Sequence, residues 1–346
     1  MTTTRQSKLH AVTLDPTPSN IQRAADALLN GELVAFPTET VFGLGAVVTQ
    51  PDAVRNIFQA KGRPADHPLI AHAHCDFDWQ AGWVDVQQLP HPHYFEILAR
   101  AFWPGPLTMI VPKGPLMPLC VTGGQTSVGV RCPSHGSAAA LLAAVDVPVA
   151  APSANRFGKV SPTRAAHVVA ELGDRIPYVL DGSEPEVGIE STIVSLLGEQ
   201  VAVLRPGAIT AAQIEQVLGV SVKGHVEAGK PGQNNPRVSG ALEKHYSPNA
   251  KVYVLSDQEL VNFPLGKKAL CVGWSDRFLQ AADRLRDRHP TVLVEALNNN
   301  PQGVAKVLYA ILRQADDLAC EQVLFERPSV DAHWEGIADR LKRAAS

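Results

Sequence analysis

The stretch FPTETVFGLG, residues 36–45, carries three polar side chains and two glycines directly after a short apolar run. That run, LVAF at residues 33–36, has the composition of a buried strand. In open α/β sheets, ligands bind beyond the carboxyl ends of the strands. A polar turn at this point therefore predicts a ligand site, and the glycines would let the backbone approach the ligand closely.

Helical and strand-like segments alternate outward from this stretch. The helical segments SNIQRAADALLNGE and PDAVRNIFQAKG begin with a Ser or Asn cap and with Pro-Asp, and the second closes on a glycine. The strand-like segments are LVAF, PLIAHA, LTMIVP, SVGVR, VPVAA, YVLDG, STIVSLL and VAVLR. Several are apolar throughout, which is typical of strands that are covered on both faces. Residues 10–222 are predicted to form a three-layer α/β domain with a twisted mixed sheet.

Residues 223–250 interrupt this pattern, because they are rich in Gly, Pro and Asn and have no sustained period. We interpret them as an interdomain linker, although the charged and aromatic side chains of EKHYSP exceed what a tether needs. In residues 251–346 the strands KVYVLS, KALCVGW, TVLVEAL and QVLFER alternate with the helices DRFLQAADRLRDR, QGVAKVLYAILRQADDL and HWEGIADRLKRAA. This order predicts a small parallel Rossmann-like domain, and without G-x-G-x-x-G after its first strand it gives no support for a dinucleotide site.

Composition narrows the class of function. A chain of 346 residues fits two domains better than one. The net charge of −3 provides no bulk attraction for nucleic acid, so an RNA contact would need a local basic patch. The five cysteines are scattered and never spaced as C-x-x-C, which is typical of reduced thiols. With no apolar signal peptide at the N-terminus and no segment of membrane-spanning length, we expect a cytoplasmic protein without membrane contact.

The segment KGRPADHPLIAHAH is the second polar cluster. Lys61 and Arg63 are two residues apart, so in an extended segment both cations would face one anion such as a polyphosphate. The alternative is a solvated basic turn at the end of a helix. His67 and His72 flank a predicted strand, but no Cys or carboxylate cluster completes a metal shell, so we do not expect them to bind a metal.

Two further clusters follow apolar strands. Ser127 and Arg131 share one face of a strand, and the partner of Arg131 is either an acidic ligand or a carboxylate of the protein itself. Ser153 and Asn155 follow the strand VPVAA. Ser161 is expected to cap the helix beginning PTRAAHVVAEL, and backbone N–H groups at such a helix start also bind phosphate.

The last cluster combines ESTIV, with Ser191 and Thr192 at a strand start, and LRPG, with Arg205 at a strand end. The chain has no Walker A motif, no G-x-S-x-G and no H-E-x-x-H. Taken in order, PTETVFGLG, KGRP with PLIAH, WPGPLT, SVGVRCP, APSAN with SPT, ESTIV and LRPG resemble the YrdC-domain family. With HYSP in the linker and the C-terminal domain through WEGIADRLKRAA, the chain resembles the long form of the threonylcarbamoyl-AMP synthase family.

This resemblance implies a nucleotidyltransferase reaction. L-threonine and bicarbonate or CO2 would form a carbamate that attacks the α-phosphate of ATP, giving threonylcarbamoyl-AMP and pyrophosphate. Mg²⁺ would be bound through ATP, with no protein side chain as a ligand. The product would pass to a tRNA threonylcarbamoyl-transferase complex for the threonylcarbamoyladenosine modification of tRNA, and the resemblance also allows a contact with tRNA or double-stranded RNA.

The resemblance also assigns roles to individual positions. The catalytic set is Lys61, Arg63, Ser153 and Asn155. The ATP contacts are Arg63, His67, Ser127, Ser153, Ser161, Arg205 and Tyr246. The threonine contacts are Thr40, His72, Arg131, Ala151 and Ser191, with Arg131 as the partner of the carboxylate. The linker would close over the site, Phe42 stands where many relatives have Tyr, and VSGALEKHYSP departs from the commoner SPGM…HYSP.

Two other functions compete with this one. The first is a double-stranded RNA-binding or translation-associated protein on a YrdC-like fold, against which the net charge and the lack of interleaved aromatic and basic residues count. The second is a carbamoyl-transfer maturation module on the same fold. That module would bring zinc-finger-like cysteines, which this sequence lacks.

Overall fold

The computed structural model describes residues 10–226, 236–240 and 245–345. Within these residues the strands of the first sheet are β1 (Val12–Leu14), β2 (Val34–Phe36), β3 (Gly43–Val47), β4 (Ile70–His72), β5 (Leu107–Pro112), β6 (Ser127–Arg131), β7 (Val149–Ala150), β8 (Tyr178–Leu180), β9 (Thr192–Ser195) and β10 (Ala202–Arg205). Their order across the sheet is β1-β8-β2-β3-β7-β4-β6-β5-β9-β10, with parallel and antiparallel pairs. The predicted mixed sheet is confirmed.

Strands β1 and β3 were absent from the prediction. β1 is a short edge strand with two exposed residues, so it lacks the apolar run that marks the others. β3 pairs antiparallel with β2 and contains the two glycines of the opening stretch. A Cβ on Gly45 would lie 2.8 Å from Cε1 of Phe36, so this glycine is required by close packing between neighbouring strands.

The helices of the first domain are α1 (Pro18–Leu29), α2 (Pro51–Lys61), α3 (His93–Phe102), α4 (Leu119–Thr122), α5 (Gly136–Val145), α6 (Ala165–Leu172) and α7 (Ala211–Leu218). The hydroxyl of Thr17 caps α1, so the predicted Ser or Asn cap is wrong. α2 ends as predicted on a glycine, Gly62, in the left-handed conformation. α6 begins after Arg164, so Ser161 does not cap it and the predicted cap is wrong.

The second domain contains the strands β11 (Lys251–Leu255), β12 (Ala269–Gly273), β13 (Val292–Ala296) and β14 (Gln322–Glu326) and the helices α8 (Asp257–Val261), α9 (Asp276–Arg288), α10 (Pro301–Asp317) and α11 (Glu335–Ala344). All pairs in this sheet are parallel, in the order β11-β14-β12-β13. The predicted Rossmann-like α/β architecture is confirmed. No helix in the described part of the chain is long and apolar enough to cross a bilayer.

The two domains share one hydrophobic cluster. Val41, Val160 and Ile189 of the first domain pack in the same cluster as Leu308 of α10 and Ile337 of α11. Each of these three first-domain residues is the chain neighbour of a side chain that faces or supports the site described below. The interface between the domains therefore lies directly behind that site.

Candidate active site

A cavity of about 530 Å³ lies beside the central strands of the first sheet. This volume is within the range of small-molecule sites. Its walls include ten of the predicted site residues: Thr40, Lys61, Arg63, His72, Arg131, Ala151, Ser153, Asn155, Arg205 and Tyr246. The structure thus brings together residues that are separated by up to two hundred positions in the sequence, and the four remaining predicted residues lie around this cavity.

Lys61 and Arg63 enter the cavity from the end of a helix. Lys61 is the last residue of α2, and the left-handed Gly62 turns the chain so that Arg63 follows into the same space. The Lys61 Nζ donates hydrogen bonds to the backbone carbonyls of Ser153 and Asn155. The extended conformation expected for this segment is therefore wrong, but the solvated basic turn is also wrong, because both cations are buried.

Burial makes these cations receptive to an anion. Neither Lys61 nor Arg63 has a carboxylate within ion-pair distance among the residues that the structure describes. Burial, and next the charge of Arg63, lowers the pKa of Lys61 well below its ordinary value. Burial lowers the pKa of Arg63 to about 10, with Arg205 contributing. Asn155 Oδ1 and Arg63 Nε are buried without a hydrogen-bond partner in this part of the chain, as expected of groups that await a ligand.

Ser191 holds Arg205 from behind the cavity wall. Arg205 donates from Nε and Nη2 to the carbonyl of Ser191, at 3.1 and 3.0 Å, and from Nη2 to its Oγ at 3.1 Å. The remaining nitrogen, Nη1, donates to the carbonyl of Ser239 at 2.8 Å. Ser191 is not part of the described cavity wall. Its contacts fix the direction in which the Arg205 guanidinium points.

Arg131 is paired with a carboxylate of the protein. Its Nη2 lies 2.8 Å from Oε1 of Glu39, both side chains are buried, and the same nitrogen donates to Oγ1 of Thr40 at 3.0 Å. Of the two partners considered for Arg131, the protein carboxylate is therefore present. Burial, and next Arg131, lowers the pKa of His72 to about 3, so His72 is neutral at pH 7. Sequence reasoning quoted Glu39 within the opening stretch without assigning it a role.

Glu190 is a second cavity residue that sequence reasoning missed. Its Oε1 accepts a hydrogen bond from Ser161 Oγ at 2.6 Å. Its Oε2 accepts from the hydroxyl of Tyr309 at 2.7 Å and from Nε of Arg340 at 2.9 Å. Burial alone would raise the pKa of Glu190, but Arg340, Arg205 and these hydrogen bonds lower it to about 2. Ser161 therefore stands behind the wall, bonded to Glu190.

His67 and Ser127 lie at the margin. The His67 ring packs edge-on against Phe157, a cavity residue, at 5.5 Å between ring centroids. Ser127 lines a neighbouring cavity of about 270 Å³, which shares Ile70 and Ser239 with the larger one. The two predicted ATP contacts are thus close to the cavity without facing it.

The predicted linker contributes to the walls at two places. Ser239, Gly240, His245 and Tyr246 line the cavity. The backbone of Arg237 exchanges two hydrogen bonds with the side chain of Gln125. Residues 227–235 and 241–244, which belong to the predicted linker, lie outside the described residues.

The described residues contain no group of three or more His, Cys, Asp or Glu side chains arranged to hold a metal ion. The donors in the cavity are instead cations, hydroxyls and one amide. Such a wall is suited to an anionic ligand that brings its own counter-ion.

Comparisons with known proteins agree over both domains. The family described as "Telomere recombination" matches residues 26–207, and the family described as "Threonylcarbamoyl-AMP synthase, C-terminal domain" matches residues 209–346. A threonylcarbamoyl-AMP synthase of Pyrococcus abyssi is 35% identical over 336 residues, which are 94% of each chain. The chain belongs to the threonylcarbamoyl-AMP synthase family. A relative from Schizosaccharomyces pombe is 33% identical over 95% of this chain and 89% of its own.

Solved structures extend the likeness to the arrangement of the domains. The crystal structure of Pyrococcus abyssi Sua5 complexed with L-threonine matches with a TM-score of 0.82 and 31% identity, over 97% of this chain and 98% of that one. Members of this family are nucleotidyltransferases that make threonylcarbamoyl-AMP, and the activity of this chain is of that kind. These comparisons do not favour the RNA-binding alternative.

Proposed function

We propose that the cavity binds ATP with Mg²⁺, L-threonine and bicarbonate or CO2, and converts them into threonylcarbamoyl-AMP and pyrophosphate. The observation that carries this assignment is the buried pair Lys61 and Arg63, which lies in a cavity of ligand size without a carboxylate partner among the described residues. A triphosphate supplies the negative charge that this pair lacks.

The reaction needs no covalent nucleophile from the protein. The threonine nitrogen attacks the carbon of CO2 and loses a proton, which gives a carbamate. A carbamate oxygen then forms a bond to the α-phosphorus of ATP while the bond to the bridging oxygen breaks, and pyrophosphate leaves with the electron pair. The protein contributes by aligning the two reactants and by neutralising the charge that develops on the phosphates.

Threonine would occupy the side of the cavity formed by Thr40, His72 and Arg131. The complex of Pyrococcus abyssi Sua5 with L-threonine supports threonine as the amino acid. Because Glu39 already binds one edge of Arg131, the carboxylate of threonine would share this guanidinium with Glu39. The neutral His72 adds no charge to that balance.

Mg²⁺ fits this site as part of the nucleotide. Glu190 is the carboxylate in the cavity wall, and its two oxygens already accept three hydrogen bonds from Ser161, Tyr309 and Arg340. The phosphate oxygens of ATP would therefore provide the protein-side ligands' share of the coordination, together with water. When bound, the ion would supply charge neutralisation on the phosphates.

The product is a mixed anhydride and is hydrolysed by water, so a tRNA threonylcarbamoyl-transferase complex would have to consume it soon after release. The transfer would take place in the cytoplasm, where the reduced thiols of the described cysteines would persist.

The test measures pyrophosphate release by the full chain with Mg²⁺. Release should require ATP, threonine and bicarbonate together, and mass spectrometry should detect threonylcarbamoyl-AMP. Equal release in the absence of threonine would overturn the proposal, and loss of release on chelation with EDTA would show the need for the ion.

A further inference from the structure

The Glu190 carboxylate of the first domain is bound by two side chains of the second. Tyr309 from α10 and Arg340 from α11 both donate to its Oε2. Arg340 also donates from Nη2 to the backbone carbonyl of Glu190 at 3.2 Å and from Nη1 to the carbonyl of Pro206 at 2.8 Å. One guanidinium thus joins the chain before Ser191 to the chain after Arg205.

The backbones of the two domains also approach closely at these turns. A Cβ on Gly188 would lie 2.4 Å from Cα of Lys306 in α10, and Gly188 has a φ of 78°. A Cβ on Gly207 would lie 2.8 Å from the carbonyl oxygen of Glu190. The turns that carry Glu190 and follow Arg205 are therefore fixed in place by close contact as well as by the guanidinium.

The charge on Glu190 matters to the ligand. This carboxylate lines the same cavity as Lys61, Arg63 and Arg205, which would bind the triphosphate. A carboxylate that was free to turn into the cavity would repel ATP or pair with these cations. Arg340 is itself almost fully buried, and the centre of its guanidinium lies 5.5 Å from the ring of Tyr246. It is well placed to retain the carboxylate on the far side of the wall.

We propose that Arg340 is a positioning residue for adenylyl transfer, which holds Glu190 against Ser161 and away from the phosphates of ATP. The C-terminal domain then contributes to the reaction by keeping the cations of the first domain available to the nucleotide. This inference rests on the proposed function only in taking ATP as the ligand of the cavity.

The test compares Arg340→Gln, Glu190→Gln, the double variant and a surface control, Arg327→Gln. Arg327 lies in the same domain and forms an exposed ion pair with Glu259. The readouts are KM for ATP, kcat and the affinity for a non-hydrolysable ATP analogue. Circular dichroism and melting of each full-length variant show whether it is folded.

Arg340→Gln should raise KM for ATP and weaken binding of the analogue by about tenfold or more, with a smaller change in kcat, because an uncompensated carboxylate then faces the phosphates. The double variant should regain most of this loss, because the neutral amide of Gln no longer repels them. Glu190→Gln alone should bind the analogue nearly as well as the wild type, and Arg327→Gln should match it.

A double variant as impaired as Arg340→Gln would overturn the inference, and so would an Arg340→Gln chain that melts earlier but binds the analogue normally. If Arg340→Gln does not fold, the comparison of Arg340→Lys with Arg340→Lys/Glu190→Gln gives the same decision, because Lys keeps the charge but loses the bridge to Pro206. Binding of the analogue does not depend on threonine, so failure of this inference is separable from failure of the proposed function.

Discussion

The cavity beside the first sheet and the carboxyl edge of the second sheet differ in which of their polar groups are already satisfied. At the second sheet, Oε2 of Glu326, the last residue of β14, accepts hydrogen bonds from the backbone N–H groups of Trp274 and Ser275 at 2.6 and 2.9 Å. These N–H groups lie at the start of α9, where a phosphate would bind in a nucleotide-binding fold. The chain's own carboxylate occupies that position.

The first domain shows the opposite arrangement. Lys61 and Arg63 are buried, and buried atoms of Asn155 and Arg63 have no hydrogen-bond partner among the described residues. The α/β architecture is common to both domains, so it does not decide where a ligand binds. The groups that folding leaves unsatisfied decide it, and the second domain acts on the ligand only through the first.

The largest expected effect is on the two cations. Lys61→Ala or Arg63→Ala should reduce kcat/KM for ATP by on the order of a hundredfold, because each removes a charge contact to the phosphates. Arg327→Ala, at the end of β14, is the matched change in the second domain and should leave activity within about twofold of wild type. Pyrophosphate release measures all three. If Arg63→Ala and Arg327→Ala were equally active, the contrast between the two domains would be lost.

A second prediction concerns Arg131. Arg131→Ala should impair the reaction with threonine and with serine alike, because both share the carboxylate, whereas the methyl group accounts for only about 1–3 kcal/mol of selectivity. It should also destabilise the protein by about 3–5 kcal/mol, because it leaves Glu39 buried without its partner. Arg131→Ala/Glu39→Gln should recover stability in thermal melts but not the affinity for threonine. Selective loss of threonine would assign Arg131 the wrong role.

The third prediction concerns pH. Burial and Arg63 lower the pKa of Lys61, and the protonated form is the one that binds phosphate. The charged fraction of Lys61 in the free enzyme is therefore lost as the pH rises through this lowered pKa, so kcat/KM for ATP should fall at a pH well below 10.5, the ordinary value for lysine. In Lys61→Arg the fall should move to higher pH. An unchanged profile in that variant would assign the titration to another group.

The smallest effect is expected at Glu326. Glu326→Gln weakens two hydrogen bonds to backbone N–H groups, which should lower stability by about 1–3 kcal/mol. The rate of pyrophosphate release by the folded variant should remain that of the wild type, because this edge binds no substrate. A clear gain of nucleotide binding at the second domain, measured with the non-hydrolysable analogue at two equivalents, would show instead that Glu326 blocks a latent site.

The parts of this structure that local pattern determines were predictable. Glycine after the α2 period predicted where that helix ends, and the apolar run LTMIVP coincides with β5. The ordered motifs were sufficient to indicate the family. Local signals failed at Ser161, where a Ser-Pro start suggested a cap, but the hydroxyl is used to bind Glu190 instead.

Long-range partners were not predictable in this way. Glu190 and Arg340 are 150 residues apart, and Arg131 is 91 residues from Thr40. Spacing along the chain carries no information about such pairs, because tertiary packing alone brings them together. Glu39 and Glu190 each lay inside a quoted motif, and the only available signal was an acidic residue next to a predicted site residue in a strongly apolar setting.

The hydrophobic cluster that joins the domains also determines how the protein comes apart. Val41, Val160 and Ile189 are buried against α10 and α11, so detachment of the second domain would expose apolar surface on the first. Such coupling favours a single cooperative transition over two separate ones. Since these three residues are neighbours of Thr40, Ser161 and Glu190, amide protons of the site should exchange with solvent as slowly as those of the C-terminal core, and the site should persist for as long as the whole chain stays folded.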